Sequence, residues 1–165
     1  MRLTLGDWLL DVDIELTMSI SAAQASEHCD CGYCRNFYET LDAAYPSIRP
    51  FLMKFGLHAE APDELCPFEP TIYEATYIVQ GTILQFGTQN LTIDGVPLTI
   101  CSSQQADMCT EHPEPYFTLC IGLMELPWSL PEPMDQVISP ANEEEYLLRM
   151  QQKLLQRLDN ETIRS

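Results

Sequence analysis

From Leu10 to Ile20 the side chains alternate without a break, with Leu10, Val12, Ile14, Leu16, Met18 and Ile20 on one side and Asp11, Asp13, Glu15, Thr17 and Ser19 on the other. A period of two belongs to a strand that has one face on a core and the other in water. The pattern therefore predicts a half-buried antiparallel strand over these residues, and it makes Asp11, Asp13 and Glu15 a solvated face rather than a site. Ser21 to Glu27, small and polar, then reads as a connector.

The connector delivers the chain to His28-Cys29-Asp30-Cys31-Gly32-Tyr33-Cys34-Arg35-Asn36-Phe37-Tyr38, which holds three of the seven cysteines. A helix opening near Gly32 puts Cys31 and Cys34 one turn apart on its first turn, with Cys29 in the entering chain. The thiols then meet the positive end of the helix dipole and its unpaired N–H groups, with Arg35 close by, and both effects favour thiolate. Phe37, Tyr38, Leu41 and Tyr45 continue one face at three- and four-residue steps until Pro46 ends the helix. Ser47 is placed to cap a second helix with Ile48, Phe51, Leu52 and Phe55 on its core face. Pro50 is tolerable in the first turn, and Gly56 is positioned to close the helix in a left-handed conformation. The expectation is a two-helix hairpin laid over a sheet.

His58 to Pro70 reads as a loop carrying Cys66 and the acids Glu60, Asp63 and Glu64. A long β segment follows from Ile72 to Gln85, where Gly81 marks a bulge or bend. Leu91, Ile93, Val96, Leu98 and Ile100 flank Asp94-Gly95, a strong hairpin signal, and Pro97, which has no ladder donor, predicts an edge strand. Cys101 to Pro115 reads as a polar loop with Cys109 and His112, and a further strand runs from Phe117 to about Leu126. Pro127 to Pro140 is an extended connector. Asn142 and Glu145 stand at capping-box spacing, and Leu147, Met150, Leu154 and Leu158 form the apolar stripe of a C-terminal helix. Strand, two helices, several antiparallel strands and a helix imply one α+β domain over residues 1–165, its sheet twisted and mainly antiparallel.

Charge narrows the function classes. Against 25 acidic residues stand 8 basic ones, a net charge of −17. Such a field repels phosphates and anionic lipid, so nucleic acid and membrane surfaces are disfavoured as partners, while a basic protein partner, or simple solubility, is compatible with it. The N-terminal stretch carries Asp7 and Asp11 where a secretory signal keeps an apolar run, and nothing approaches the roughly 18 apolar residues that span a bilayer. An odd number of cysteines without framework spacing argues for reduced thiols, and hence for a cytoplasmic protein.

Three readings of the cysteine corner stand side by side. Cys29, Cys31 and Cys34 could ligate a metal, zinc above all, with a fourth ligand from His28, Cys66 or water, although one residue between Cys29 and Cys31 is tighter than the spacing usual in zinc knuckles. Cys31-Gly32-Tyr33-Cys34 could instead be a redox dithiol, although a helical hairpin follows it where a βαβ unit is expected. Or the thiols pack as small hydrophobes at a helix start. His58 with Asp63 and Glu64, and His112 with Glu111 and Glu114, are weaker acid–base candidates, and no serine-hydrolase, phosphate-loop or zinc-protease motif is present.

The run Cys29-Asp30-Cys31-Gly32-Tyr33-Cys34-Arg35-Asn36-Phe37, followed by Phe55-Gly56-Leu57-His58 and Ala61-Pro62-Asp63-Glu64, resembles a group of small bacterial cytosolic proteins. That group carries a Cys-Asp-Cys-x-x-Cys-Arg-Asn-Phe/Tyr signature ahead of a Leu-Gly-Ile-Asp loop. The resemblance covers roughly the first 85 residues, with His58 standing where the group has Asp. It implies a shared architecture and a bacterial origin, and it brings no activity. With no complete catalytic constellation in the chain, the sequence reads as an acidic binding or interaction protein, of the immunity or inhibitor type, with a cysteine-rich corner. The alternative is a thiol- or zinc-dependent enzyme working at that corner. Oligomeric state is not legible.

Overall fold

In the computed structural model the extended segment expected over Leu10–Ile20 ends at Val12, and a helix begins two residues later. The structure describes residues 1–69, 71–108, 111–134, 147–148, 151–152 and 155. Strands β1 (Arg2–Leu5) and β2 (Trp8–Val12) form a hairpin, and helix α1 runs over Ile14–Ser26. Thus the alternation from Ile14 to Ile20, and the connector expected over Ser21–Glu27, are both replaced by helix. The cause is local chemistry at Asp13, whose carboxylate accepts the Leu16 N–H at 3.0 Å and caps the helix, with Glu15 in the first turn. The buried residues of α1 are Thr17 and Ser21, four apart, so its inner face is polar and its burial pattern runs against the hydrophobic one.

The hairpin follows as expected. Helix α2 spans Gly32–Ala44, and α3 spans Ile48–Met53. Gly56 closes the turn beyond α3 at φ +81°, where an added Cβ would lie 2.7 Å from the Ile14 carbonyl. Ser47 does not cap α3 with its own side chain. Its amide and hydroxyl bond instead to the Asp94 carboxylate at 2.8 and 2.7 Å.

The remaining strands are β3 (Glu64–Glu69), β4 (Ile72–Gln85), β5 (Leu91–Ile93), β6 (Val96–Ser102) and β7 (Tyr116–Glu125). The loop expected over His58–Pro70 therefore contains a strand, Pro67 included, because β3 finds a partner along the first part of β4. The seven strands pair antiparallel in the order β1-β2-β4-β7-β6-β5, with β3 added beside β4. Gly81 lies opposite Val12, and an added Cβ there would meet the Asp11 carbonyl at 2.1 Å, so the bend in β4 requires glycine. Asp94 and Gly95 both have positive φ, 50° and 79°, the geometry of a tight two-residue hairpin turn. Pro97 does not mark the edge. Its strand β6 lies between β5 and β7, and the β6–β7 ladder begins only at Leu98, so the missing N–H is not needed there.

On one face of this sheet Tyr73, Ala75, Tyr77 and Val79 of β4 are buried with Phe117, Leu119 and Ile121 of β7. The buried Phe37 ring lies 6.0 Å from that of Tyr73, and the Tyr77 hydroxyl donates to the Ala59 carbonyl at 2.8 Å. The architecture is α+β: a mainly antiparallel sheet carrying a two-helix hairpin. Met1–Ser129 forms one compact unit and Leu130–Ser165 another. In the second, the expected Asn142–Leu158 helix lies largely outside the described residues. Those that are described, Leu147, Leu148, Gln151, Gln152 and Leu155, are helical and exposed.

Candidate metal centre

Cys31 is the N-cap residue of α2 in an extended conformation, Cys34 sits one turn further on, and Cys29 lies in the chain entering the helix. The three sulfurs lie within 4.8 Å of one another, the one such group of His, Cys, Asp or Glu ligand atoms among the described residues. Cys29 and Cys31 are exposed and Cys34 is half-buried. Gly32 and Tyr33 between them are buried, so the helix start itself is anchored while two sulfurs face solvent.

Cys31 is held near pKa 5, first by the Cys34 thiol donating to it. Burial opposes the shift, and the Cys34 amide, the Cys29 thiol and the Tyr33 amide add to it. No side-chain cap bond of ordinary length closes this helix end, so the amides act on a large, diffuse sulfur as oriented dipoles. Cys34 shifts the opposite way, upward, because its proton is the one shared with Cys31; burial and the neighbouring negative charge reinforce this. Arg35 reaches back to the Asp30 carbonyl at 3.3 Å, with its carboxylate at 3.9 Å, and so fastens the entering loop.

A support layer lies beneath the sulfurs. Tyr38 lies beside the sulfurs, and burial first, then the nearby thiols with Cys34 foremost, raises its phenol. Tyr33 packs edge-on against Trp128 at 5.6 Å and Tyr73 at 6.3 Å. Asn36, fully buried, donates to the Tyr73 hydroxyl and the Pro127 carbonyl and accepts from the Ser129 amide. The sequence marked Asn36 and Tyr38 only as parts of a signature and a helix face. Their polar roles depend on partners up to 93 residues away.

His28 and Cys66 do not join the group. The His28 Nδ1 donates to the Ala25 carbonyl at 2.7 Å, and its ring stands edge-on to Tyr38 at 4.9 Å. Cys66 is on β3 opposite Glu74. His58 is exposed, and its amide donates to Ser21. Asp63 pairs with His112 instead, Oδ1 to Nε2 at 3.3 Å, both side chains nearly closed to solvent, and it also accepts from Gln24 and the Ile78 amide. Glu111 and Glu114 are exposed, and Glu114 accepts from Ser103. Cys109 lies outside the described residues.

Tetrahedral zinc with Zn–S bonds of ~2.3 Å places its sulfurs about 3.8 Å apart. Three thiols already inside 4.8 Å, one of them biased toward thiolate, fit that demand with small rotamer adjustments. No family model, curated protein or solved structure matches this chain. Among the described residues, no helix is long and apolar enough to cross a membrane.

Proposed function

We propose that this chain is an acidic binding protein, akin to the bacterial signature group, whose Cys29–Cys31–Cys34 corner holds a soft divalent cation such as zinc. The observation that carries this reading is the convergence of three sulfurs on one helix start. A buried Asn36 and a Tyr38 beside Cys34 lie under it, an outer layer of the kind that orients metal ligands. Three protein ligands leave a fourth position for water or a partner's ligand. The charge of −17 supports a basic protein as partner over nucleic acid.

Anaerobic purification, metal analysis and thiol titration before and after chelation test it. One zinc per chain, lost together with thiol protection on chelation, is the expected result. A chain that takes up no zinc on reconstitution overturns it.

A second reading, dithiol chemistry at Cys31 and Cys34, is favoured by one feature: an exposed N-cap thiol one turn before a half-buried partner. Rapid alkylation of Cys31 in protein that binds no metal, with reversible closure of a Cys31–Cys34 disulfide, would select it.

A further inference from the structure

Three thiolates are the donor set of a closed zinc site with one member missing. Structural zinc sits among four cysteines, three cysteines with one histidine, or two of each, whereas catalytic zinc keeps its open position beside sets that contain at least one histidine. Cys29, Cys31 and Cys34 therefore call for a fourth sulfur or imidazole, and a water there completes neither pattern.

The ligand types already placed in the chain do not supply it. Among the described residues, no other His, Cys, Asp or Glu ligand atom completes the 4.8 Å group. His28, next to Cys29 in sequence, has its Nδ1 on the Ala25 carbonyl at 2.7 Å and its ring edge-on to Tyr38. His112 is fastened to Asp63 at 3.3 Å, and Cys66 sits on β3 opposite Glu74. The Asp30 side chain is 91% exposed, with its carboxylate 3.9 Å from the Arg35 side chain.

The same corner is open to a macromolecule. Residues 26–31 are all exposed, whereas Gly32, Tyr33, Asn36 and Phe37 behind them are buried. Ligands drawn from one short segment cap an ion from one side and leave its other side to whatever approaches.

We infer that the fourth position belongs to a cysteine or histidine of a partner protein, carried on a lysine- or arginine-rich segment, so that the metal joins the two chains. The inference rests on the zinc-holding reading of the corner and gives that site its partner. A zinc ion with three thiolates is already a net anion, and the cysteines are flanked in sequence by Glu27, Asp30 and Glu39. Between Arg2 and Arg49 the one basic residue is Arg35, which is engaged with Asp30. Basic flanks on the partner offset that charge, and a second copy of this chain, at −17, does not bring them. On docking, a bond from the metal to the partner's sulfur or ring nitrogen replaces its bond to water. A thiol proton passes to solvent, and no electron is transferred.

The test uses the full reduced chain under argon, loaded with cobalt(II) as a visible stand-in for zinc, and lysine-rich peptides identical but for one cysteine, histidine or serine. The cysteine peptide should bind saturably and raise the near-ultraviolet sulfur-to-cobalt absorption by about a third, as a fourth thiolate joins three. The histidine peptide should shift the visible bands without adding sulfur absorption, and saturation by either peptide supports the inference. The serine peptide should do neither, and a glutamate-flanked cysteine peptide should bind about tenfold or more weakly. Spectra unchanged by the cysteine and histidine peptides, equal binding of the serine peptide, or cobalt stripped from the protein by a peptide overturns the inference and leaves the zinc reading standing. Equal affinity of the glutamate-flanked peptide overturns the basic segment. A peptide-free spectrum altered by Cys109→Ser or His28→Ala would show that the chain fills the position itself, and metal-dependent dimers in sedimentation would assign it to a second copy; either result overturns the inference. A chain that takes up neither cobalt nor zinc overturns this inference and the zinc reading together.

Discussion

The side-chain amide of Asn36 donates to the Tyr73 hydroxyl at 3.2 Å and, from the same nitrogen, to the Pro127 carbonyl at 3.1 Å. One residue on the second turn of α2 thereby joins the helix that presents the cysteines to the central strand β4 and to the chain leaving β7. Asn36→Ala removes the part-buried Ser129 amide contact and strands the buried Tyr73 hydroxyl, and should cost about 1–3 kcal/mol in urea unfolding. Tyr73→Phe, which removes one partner and keeps the ring, should cost only ~0.5–1.5 kcal/mol. Equal small effects would mean that the helix start is held by packing alone.

Thr17 is the polar anchor of α1. Thr17→Val keeps the shape and leaves the buried Gln80 amide without its acceptor, a loss of about 1–3 kcal/mol, whereas Thr17→Ser should retain most of the stability. Chemical denaturation of the pair of variants distinguishes a hydrogen-bonded helix from one held by its methyl groups.

At Gly81, φ is +150° and a Cβ would overlap the Asp11 carbonyl. Gly81→Ala should destabilise by roughly 2 kcal/mol or more, since strain and overlap act together. A thermal midpoint within error of the parent would show that the β2–β4 crossing relaxes easily.

The Cys31 thiol, held down to about 5 from 9.0, remains thiolate above that value and takes up a proton as pH falls through it. Its iodoacetamide reactivity in reduced, metal-free protein should therefore be flat across neutral pH and half-maximal near 5, with Cys34 slow throughout because its own shift is upward. Mass-spectrometric rates that climb through the ordinary thiol range at Cys31 would contradict this geometry.

Tyr38 lies beside Cys34, so Tyr38→Phe should lower zinc affinity by up to about tenfold while each Cys→Ser lowers it further. His28, whose Nδ1 is committed to the Ala25 carbonyl, should change affinity less than about twofold when replaced by Ala. Competition titration with a chromogenic chelator reads both.

Some features depend on residues adjacent in the chain, and the sequence alone determined these. Cys31 and Cys34 share a helix turn because they are three apart, on either side of the Gly-Tyr that opens the helix. Pro46 separates two helices, and Asp94-Gly95 folds back because both positions tolerate positive φ. The tertiary structure decided the rest. Alternation from Leu10 to Ile20 has the period of a strand, yet only the part through Val12 finds a strand to pair with. Beyond it Asp13 caps a helix, and Thr17, Ser21 and Gln24 find partners at Gln80, His58 and Asp63. A polar face turned inward cannot be recognised until its distant acceptors and donors are in place. The same holds for Asn36 and for the Asp63–His112 pair: their burial is tolerated only through bonds to residues far away in the chain.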